Sequence, residues 1–146
     1  VNLYHKSARW FTDNAKKSLM IPNAGGNSQI SEAISMNFLE RIFGGCRIIM
    51  ETSIKTVWAR WPIVDYVIVR SWSPNIGVSV VRAMDYRDPD YFDDDECIRI
   101  LNKKVRGLVV AQQGCYQYSS SIMHIICQDM RVARLVKKYA PGVMKG

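Results

Sequence analysis

Asp65 heads an otherwise apolar run, "WPIVDYVIV", within a stretch, "VDYVIVRSWSPNIGVSVVRAM", that reads as two strands joined by a turn. Apolar strand pairs ordinarily exclude charge, so this carboxylate is either a solvated strand-end acid or a placed functional group. Arg82, near the end of the same pair, carries a guanidinium suited to bidentate contact with phosphate or to pairing with an acid. Two lines of cations follow at helical steps: Arg99, Lys103 and Arg106, then Arg131, Arg134 and Lys138. Such lines are either solvated helix faces or phosphate-attracting surfaces.

Charge distribution bears on that choice. The formal net charge is +7. Residues 85–96, "DYRDPDYFDDDE", hold seven of the 13 acids and one of the 20 basic residues, leaving a local balance of +13 elsewhere. An acidic segment on a basic body points to a polyanion partner, nucleic acid ahead of an anionic membrane. Trp58, Trp61 and Trp72 are interleaved with Arg60 and Arg70. They suit stacking on unpaired bases, although burial against a helix is the commoner use of tryptophan.

Other chemistries find less support. "NAGGN" lacks the downstream Gly-Lys-Ser/Thr of a phosphate-binding loop, so no nucleotide cofactor is expected. Cys46, Cys97, Cys115 and Cys127 are too widely spaced for paired zinc knuckles and lie in or beside apolar segments. They read as buried reduced thiols, which implies an intracellular or organellar setting. His124, inside "SIMHIIC", reads as a core or strand-face histidine. No Ser-His-acid or Cys-His pattern is evident. The longest apolar runs fall far short of the roughly 20 residues that span a bilayer, so no membrane partner is expected. The chain opens on Val without a secretory-type apolar segment, the pattern of a processed or partial chain.

The elements that must position these groups follow from periodicity and turn residues. Residues 5–19 suit a short helix, and "IPNAGGNSQ" a loop. Ser28 or Gln29 opens a helix to about Phe43, with Ile30, Ala33, Ile34, Phe38, Leu39 and Ile42 on its apolar face and Gly44–Gly45 as its stop. Strands follow at 46–54, 64–70 and 76–84, the last two as antiparallel neighbours. Asp93–Asp95 offer caps for a helix to about Gln112, with an Ile98, Leu101, Val105 and Leu108 stripe. A strand at 121–127 and a helix capped by Asp129 and running to about Tyr139 complete the set, Val132, Leu135, Val136 and Tyr139 facing inward. One α/β domain at 28–140 is expected, with an N-terminal extension at 1–27 and a tail at 141–146: a central four-stranded mixed sheet flanked by helices.

This αβββαβ order, with Glu32 in "GGNSQISEAI" and Asp65 in "WPIVDYVIV", resembles the PD-(D/E)XK, restriction-endonuclease-like nuclease superfamily over residues 28–127. The resemblance implies a helix Glu, here Glu32, a strand-two Asp, here Asp65, and an acid-x-Lys pair on strand three. The carboxylates would hold Mg²⁺ and the Lys would orient an attacking water, because phosphodiester cleavage needs an activated nucleophile and neutralised phosphate charge. Strand three departs from the pattern: "IGVSVVR" puts Ser79 at the acid and Val81 at the Lys. Arg82 is the nearest replacement cation, although strand alternation points it to the other face. Glu51 and Asp85 are replacement carboxylates. "VDYV" and "GVSVVRAM" also resemble strands of uncharacterised proteins from unicellular eukaryotes, which carry no activity to transfer.

The expectation is a nucleic-acid-binding domain on a nuclease-like fold, catalytically impaired, with Asp65, Glu32, Ser79 and Arg82 as its site. The alternatives are an active metal-dependent DNA or RNA endonuclease, with Asp65, Glu32 and Glu51 as metal ligands, and a structural or adapter subunit of a larger assembly.

Overall fold

The computed structural model describes residues 8–21, 28–44, 46–84 and 91–145. Four helices, α1 (Asp13–Met20), α2 (Ser28–Phe43), α3 (Asp94–Gln113) and α4 (Met130–Lys145), flank a sheet of β1 (Arg47–Met50), β2 (Tyr66–Val69), β3 (Ile76–Ala83) and β4 (Ser120–Cys127). The chain order α2-β1-β2-β3-α3-β4 is the expected one, and the sheet is mixed, in the order β1-β2-β3-β4. β1–β2 and β2–β3 are antiparallel, and β3–β4 are parallel. The parallel pair requires a crossover, which α3 supplies.

Both faces of the sheet are covered. On one, Ala33, Met36 and Leu39 of α2 pack with Ile48, Tyr66, Ile68, Ile76 and Val78. On the other, Ala111 of α3 packs with Val64, Val67 and Tyr118, while Cys97 and Leu101 pack with Ala83, Phe92 and Val132. The period-2 alternation of β2 and β3 sorts their side chains between these layers.

Several expected boundaries shift, each for a local reason. The helix at 5–19 is a 3-10 turn at Ala8–Trp10 followed by α1, because extended Thr12 interrupts the run and accepts the Ala15 N–H as an N-cap. The first strand ends at Met50, since Glu51–Ser53 form a 3-10 turn closed by Ile54 N–H to Glu51 O at 3.1 Å. Asp93 does cap α3, accepting the Glu96 N–H at 2.9 Å. α4 continues past Tyr139 through Pro141 to Lys145, into the residues expected as a tail. Its Ala140 and Val143 pack on the core, and that packing offsets the N–H that proline removes from the helix. The glycines at 25–26 and 45, and Asp85, lie outside the described residues.

The α2 face is also rotated from expectation. Ile34, Phe38 and Ile42 are exposed, whereas Ser31 and Ser35 are buried with Ala33, Met36 and Leu39. The reason is polar: Ser35 Oγ lies 2.7 Å from Tyr66 Oη and 2.7 Å from His124 Nδ1, and Ser31 Oγ accepts from Arg82. Small hydroxyls let the helix approach the sheet while giving its buried polar groups partners. On α3 the buried line runs through Cys97, Leu101 and Ala111, with Ile98, Val105 and Leu108 only partly covered.

Candidate functional site

The site begins with a difference in strand length. β2 pairs with β3 only from Ile76 to Val78, whereas β3 pairs with β4 as far as Ala83. One further bond, Asp65 N–H to Val78 O at 3.0 Å, ends the β2 side. Beyond it, Val80–Arg82 border a notch. The start of α2 brings Ser28, Ser31 and Glu32 to one side of it, and the first half of α3 brings Arg99, Ile100, Lys103 and Lys104 to the other. Together they enclose a cavity of about 380 Å³ that also includes Asp65.

Asp65 occupies the place where β2 would have continued. Its Oδ2 accepts the Val80 N–H at 2.5 Å, so the carboxylate replaces a strand partner. Burial raises its pKa, and this is opposed by the Val80 N–H, the Lys104 charge, a hydrogen bond with Ser79 and its own backbone N–H. A half-buried carboxylate so supported is a positioned group rather than a solvated strand end.

Two more acids share its field. Glu32 is pushed up to about 7, first by desolvation and then by the charges of Asp65 and Glu51, with a Ser28 hydrogen bond opposing. Glu51, just past β1, is raised by desolvation and by Asp65. The fold thus brings Glu32, Glu51 and Asp65 into mutual electrostatic influence across 33 residues of sequence. Among the described residues, however, no three His, Cys, Asp or Glu side chains converge as a cage for a metal ion.

The third-strand residues divide by face. Ser79 hydrogen-bonds Asp65, and Val81 is buried at 1% exposure. Arg82 turns to the opposite, α2 side, where Nε and one terminal nitrogen donate to Ser31 Oγ at 3.1 and 2.6 Å. From that side it still lines the cavity that Asp65 and Glu32 share. A cation whose charge acts on Asp65 is Lys104, from α3, which lines the same cavity. Sequence reading passed over Lys104 because it stands outside the Arg99, Lys103 and Arg106 line. One signal was available: it falls three residues after Leu101 and four before Leu108, at the border of the apolar stripe.

The basic lines fare unequally. Arg99 and Lys103 line the cavity, with Arg99 also paired to Glu96 at 2.5 Å. Arg106 is exposed and outside it. In the second line, Arg131 donates to Phe92 O at 2.6 Å and Lys138 pairs with Asp94 at 3.0 Å, so these two tie α4 to the entry of α3. Arg134 does not line the cavity. The four cysteines are free, with Cys97 and Cys115 buried and Cys46 and Cys127 half-buried. Among the described residues no helix is long and apolar enough to cross a membrane. Compared with family models, curated proteins and solved structures, the chain finds no match in any of the three. The functional reading therefore stands on the geometry.

Proposed function

We propose that the cavity receives the phosphate backbone of a nucleic acid, and that the chain is a nucleic-acid-binding domain with a nuclease-like layout and an incomplete hydrolytic site. The observation that carries this reading is the convergence of Arg82, Arg99, Lys103 and Lys104 around Glu32 and Asp65 in one notch of a chain whose net charge is +7. Guanidinium and ammonium groups in a concave site attract phosphate oxygens and position the strand that carries them.

The arrangement supports binding ahead of cleavage. Val81 offers no functional group, Ser79 brings a neutral oxygen, and one Asp65 oxygen is engaged by the Val80 N–H. Two carboxylates, Glu32 and Asp65, line the cavity, and among the described residues no third His, Cys, Asp or Glu joins them as a cluster. No catalytic step is assigned to them.

The test combines binding and cleavage. Labelled DNA and RNA oligonucleotides should bind the purified chain at low salt, with affinity falling as salt rises. Lys103→Glu with Lys104→Glu should weaken binding and flatten that dependence. Robust Mg²⁺-dependent cleavage, lost in Asp65→Asn, would overturn the impaired-site reading. A folded chain that binds no nucleic acid would instead leave the notch as a contact surface within a protein assembly.

A further inference from the structure

The segment between Glu51 and Asp65, "TSIKTVWARWPIV", contains two cations, Lys55 and Arg60, and no acid. It is fastened to the far end of α3. Val57 N–H donates to Gly114 O at 2.8 Å, and Lys55 N–H donates to the Gln117 side-chain oxygen at 2.5 Å. Trp61 Nε1–H donates to Val110 O at 2.8 Å, and its ring lies so close to Gly114 that no Cβ would fit there. Thr56 Oγ1–H donates to Trp58 O at 2.8 Å, closing the turn, and Arg60 holds a left-handed φ of 59°. Three anchoring bonds, one bond within the turn and a left-handed residue make this a defined backbone shape.

Trp58 is what that shape presents. Its ring sits 4.7 Å from that of Trp61 at 46°, so a neighbouring indole supports it, yet Trp58 remains 53% exposed. Exposed Val57 stands beside it in sequence, and Lys55 and Arg60 flank the pair. A supported, half-open indole with a cation three residues before it and another two residues after it offers a flat face to another aromatic group. The same helix links it to the cavity: Lys104 lines the notch and Val110 holds Trp61, six residues or about 9 Å further along the helix axis. From Cys97 to its end that helix carries no acid. By contrast Trp72, 97% exposed, lies on the β2–β3 hairpin at the end of β2 away from Asp65.

We infer that Trp58 is a stacking platform for an unpaired base of the strand whose phosphates enter the notch, so that the ligand class is single-stranded or locally unpaired nucleic acid. This rests on the nucleic-acid reading above. A base inside a duplex keeps both faces against its neighbours, whereas an unpaired base can lay one face on the indole, independent of sequence. The cations of the notch hold the backbone, and Trp58 selects for the exposed base.

The test measures fluorescence anisotropy of a labelled single-stranded oligonucleotide, the blunt duplex of the same sequence, and the same single strand with its bases removed. Wild-type protein, Trp58→Ala, Trp58→Leu and Trp58→Phe are compared at low salt. Wild type should prefer the single strand to the duplex and to the abasic strand. Ala and Leu should each weaken single-strand binding by roughly 5- to 150-fold while leaving duplex binding unchanged, and Phe should restore most of the loss. Leu equal to wild type would show that the position needs only an apolar side chain, which overturns stacking. An equal loss on duplex and single strand would also overturn it. Binding by wild type that no Trp58 variant alters sinks this inference alone, whereas no binding of any oligonucleotide by folded wild type sinks it together with the reading it rests on.

Discussion

Asp65 Oδ2 accepts the backbone N–H of Val80 at 2.5 Å, two residues beyond the last β3 position that β2 pairs. A side chain thus completes a strand edge that the main chain leaves open, and the same carboxylate faces Lys104 and the cavity. The two roles separate by substitution. Asp65→Asn keeps an oxygen acceptor and should cost less than about 1 kcal/mol. Asp65→Ala leaves the Val80 N–H without that partner and should cost about 1–3 kcal/mol, read as a shift of the urea midpoint at constant slope. Equal costs for the two variants would contradict a structural acceptor role.

Glu32 predicts a pH dependence. Its pKa in the folded chain, about 7, stands above its ordinary 4.5, so the folded state holds the proton where the unfolded state has released it. Stability must therefore fall as pH rises from about 4.5 to about 7. Glu32→Gln should remove that part of the slope and stabilise the protein above pH 7 by about 1 kcal/mol, well below the formal value of the shift because the half-buried group is screened by water. Asp65 and Glu51 are shifted the same way and should leave a residual slope. Urea titrations of both proteins at pH 5 and pH 8 check this.

Lys103 and Arg106 share a helix but differ in position, the first lining the cavity and the second outside it. Lys103→Glu should weaken nucleic-acid binding at low salt and lower the slope against log salt by about 1, while Arg106→Glu should do markedly less. Arg131→Glu should act on stability instead, since Arg131 ties α4 to Phe92 O. Salt-dependent anisotropy with circular dichroism in parallel distinguishes the two kinds of effect.

Ser35 links Tyr66 and His124 through one buried hydroxyl. Ser35→Ala should cost about 1–3 kcal/mol, because it removes a hydrogen-bond partner from both Tyr66 and His124. Adding Tyr66→Phe should then cost less than it does in the wild type, a coupling that a double-mutant cycle measures. Burial also lowers the His124 pKa, so its neutral form belongs to the fold and its contribution should fade as pH drops below about 6.5.

Gly77 and Gly114 pack against the Tyr118 and Trp61 rings, respectively. Alanine at either position must displace a ring, at a cost of about 1–3 kcal/mol. Gly114→Ala should also change Trp58 emission, since Trp58 rests on Trp61.

The order of elements was legible in the sequence because it follows from local patterning. Alternating apolar residues mark β2 and β3, Asp93 and Asp129 mark helix starts, and the "SWSPN" turn makes antiparallel neighbours of two strands. Asp65 was legible for a related reason: a carboxylate at the head of "YVIV" breaks a pattern that is otherwise apolar. The α2 face was misread, since periodicity counts Ile34, Phe38 and Ile42 as core and gives Ser31 and Ser35 no weight. Which face a helix buries depends on the partners opposite it, here Tyr66, His124 and Arg82, from 31 to 89 residues away in sequence.

Tertiary structure alone decided the site. That β3 outruns β2, that Asp65 fills the resulting gap, that Arg82 turns toward Ser31 while Lys104 faces Asp65, and that Trp58 stays open while Trp61 is held are all consequences of register and packing between distant segments. Sequence carries the periodicities of 2 and 3.6 that assign a residue to a strand or helix and approximately to a side of it. It does not carry the offset of one strand against the next or the height at which a helix crosses the sheet. Those are fixed by how the whole core closes, and a shift of one residue there would exchange Ser79 and Val81 for Val80 and Arg82 on the face beside Lys104.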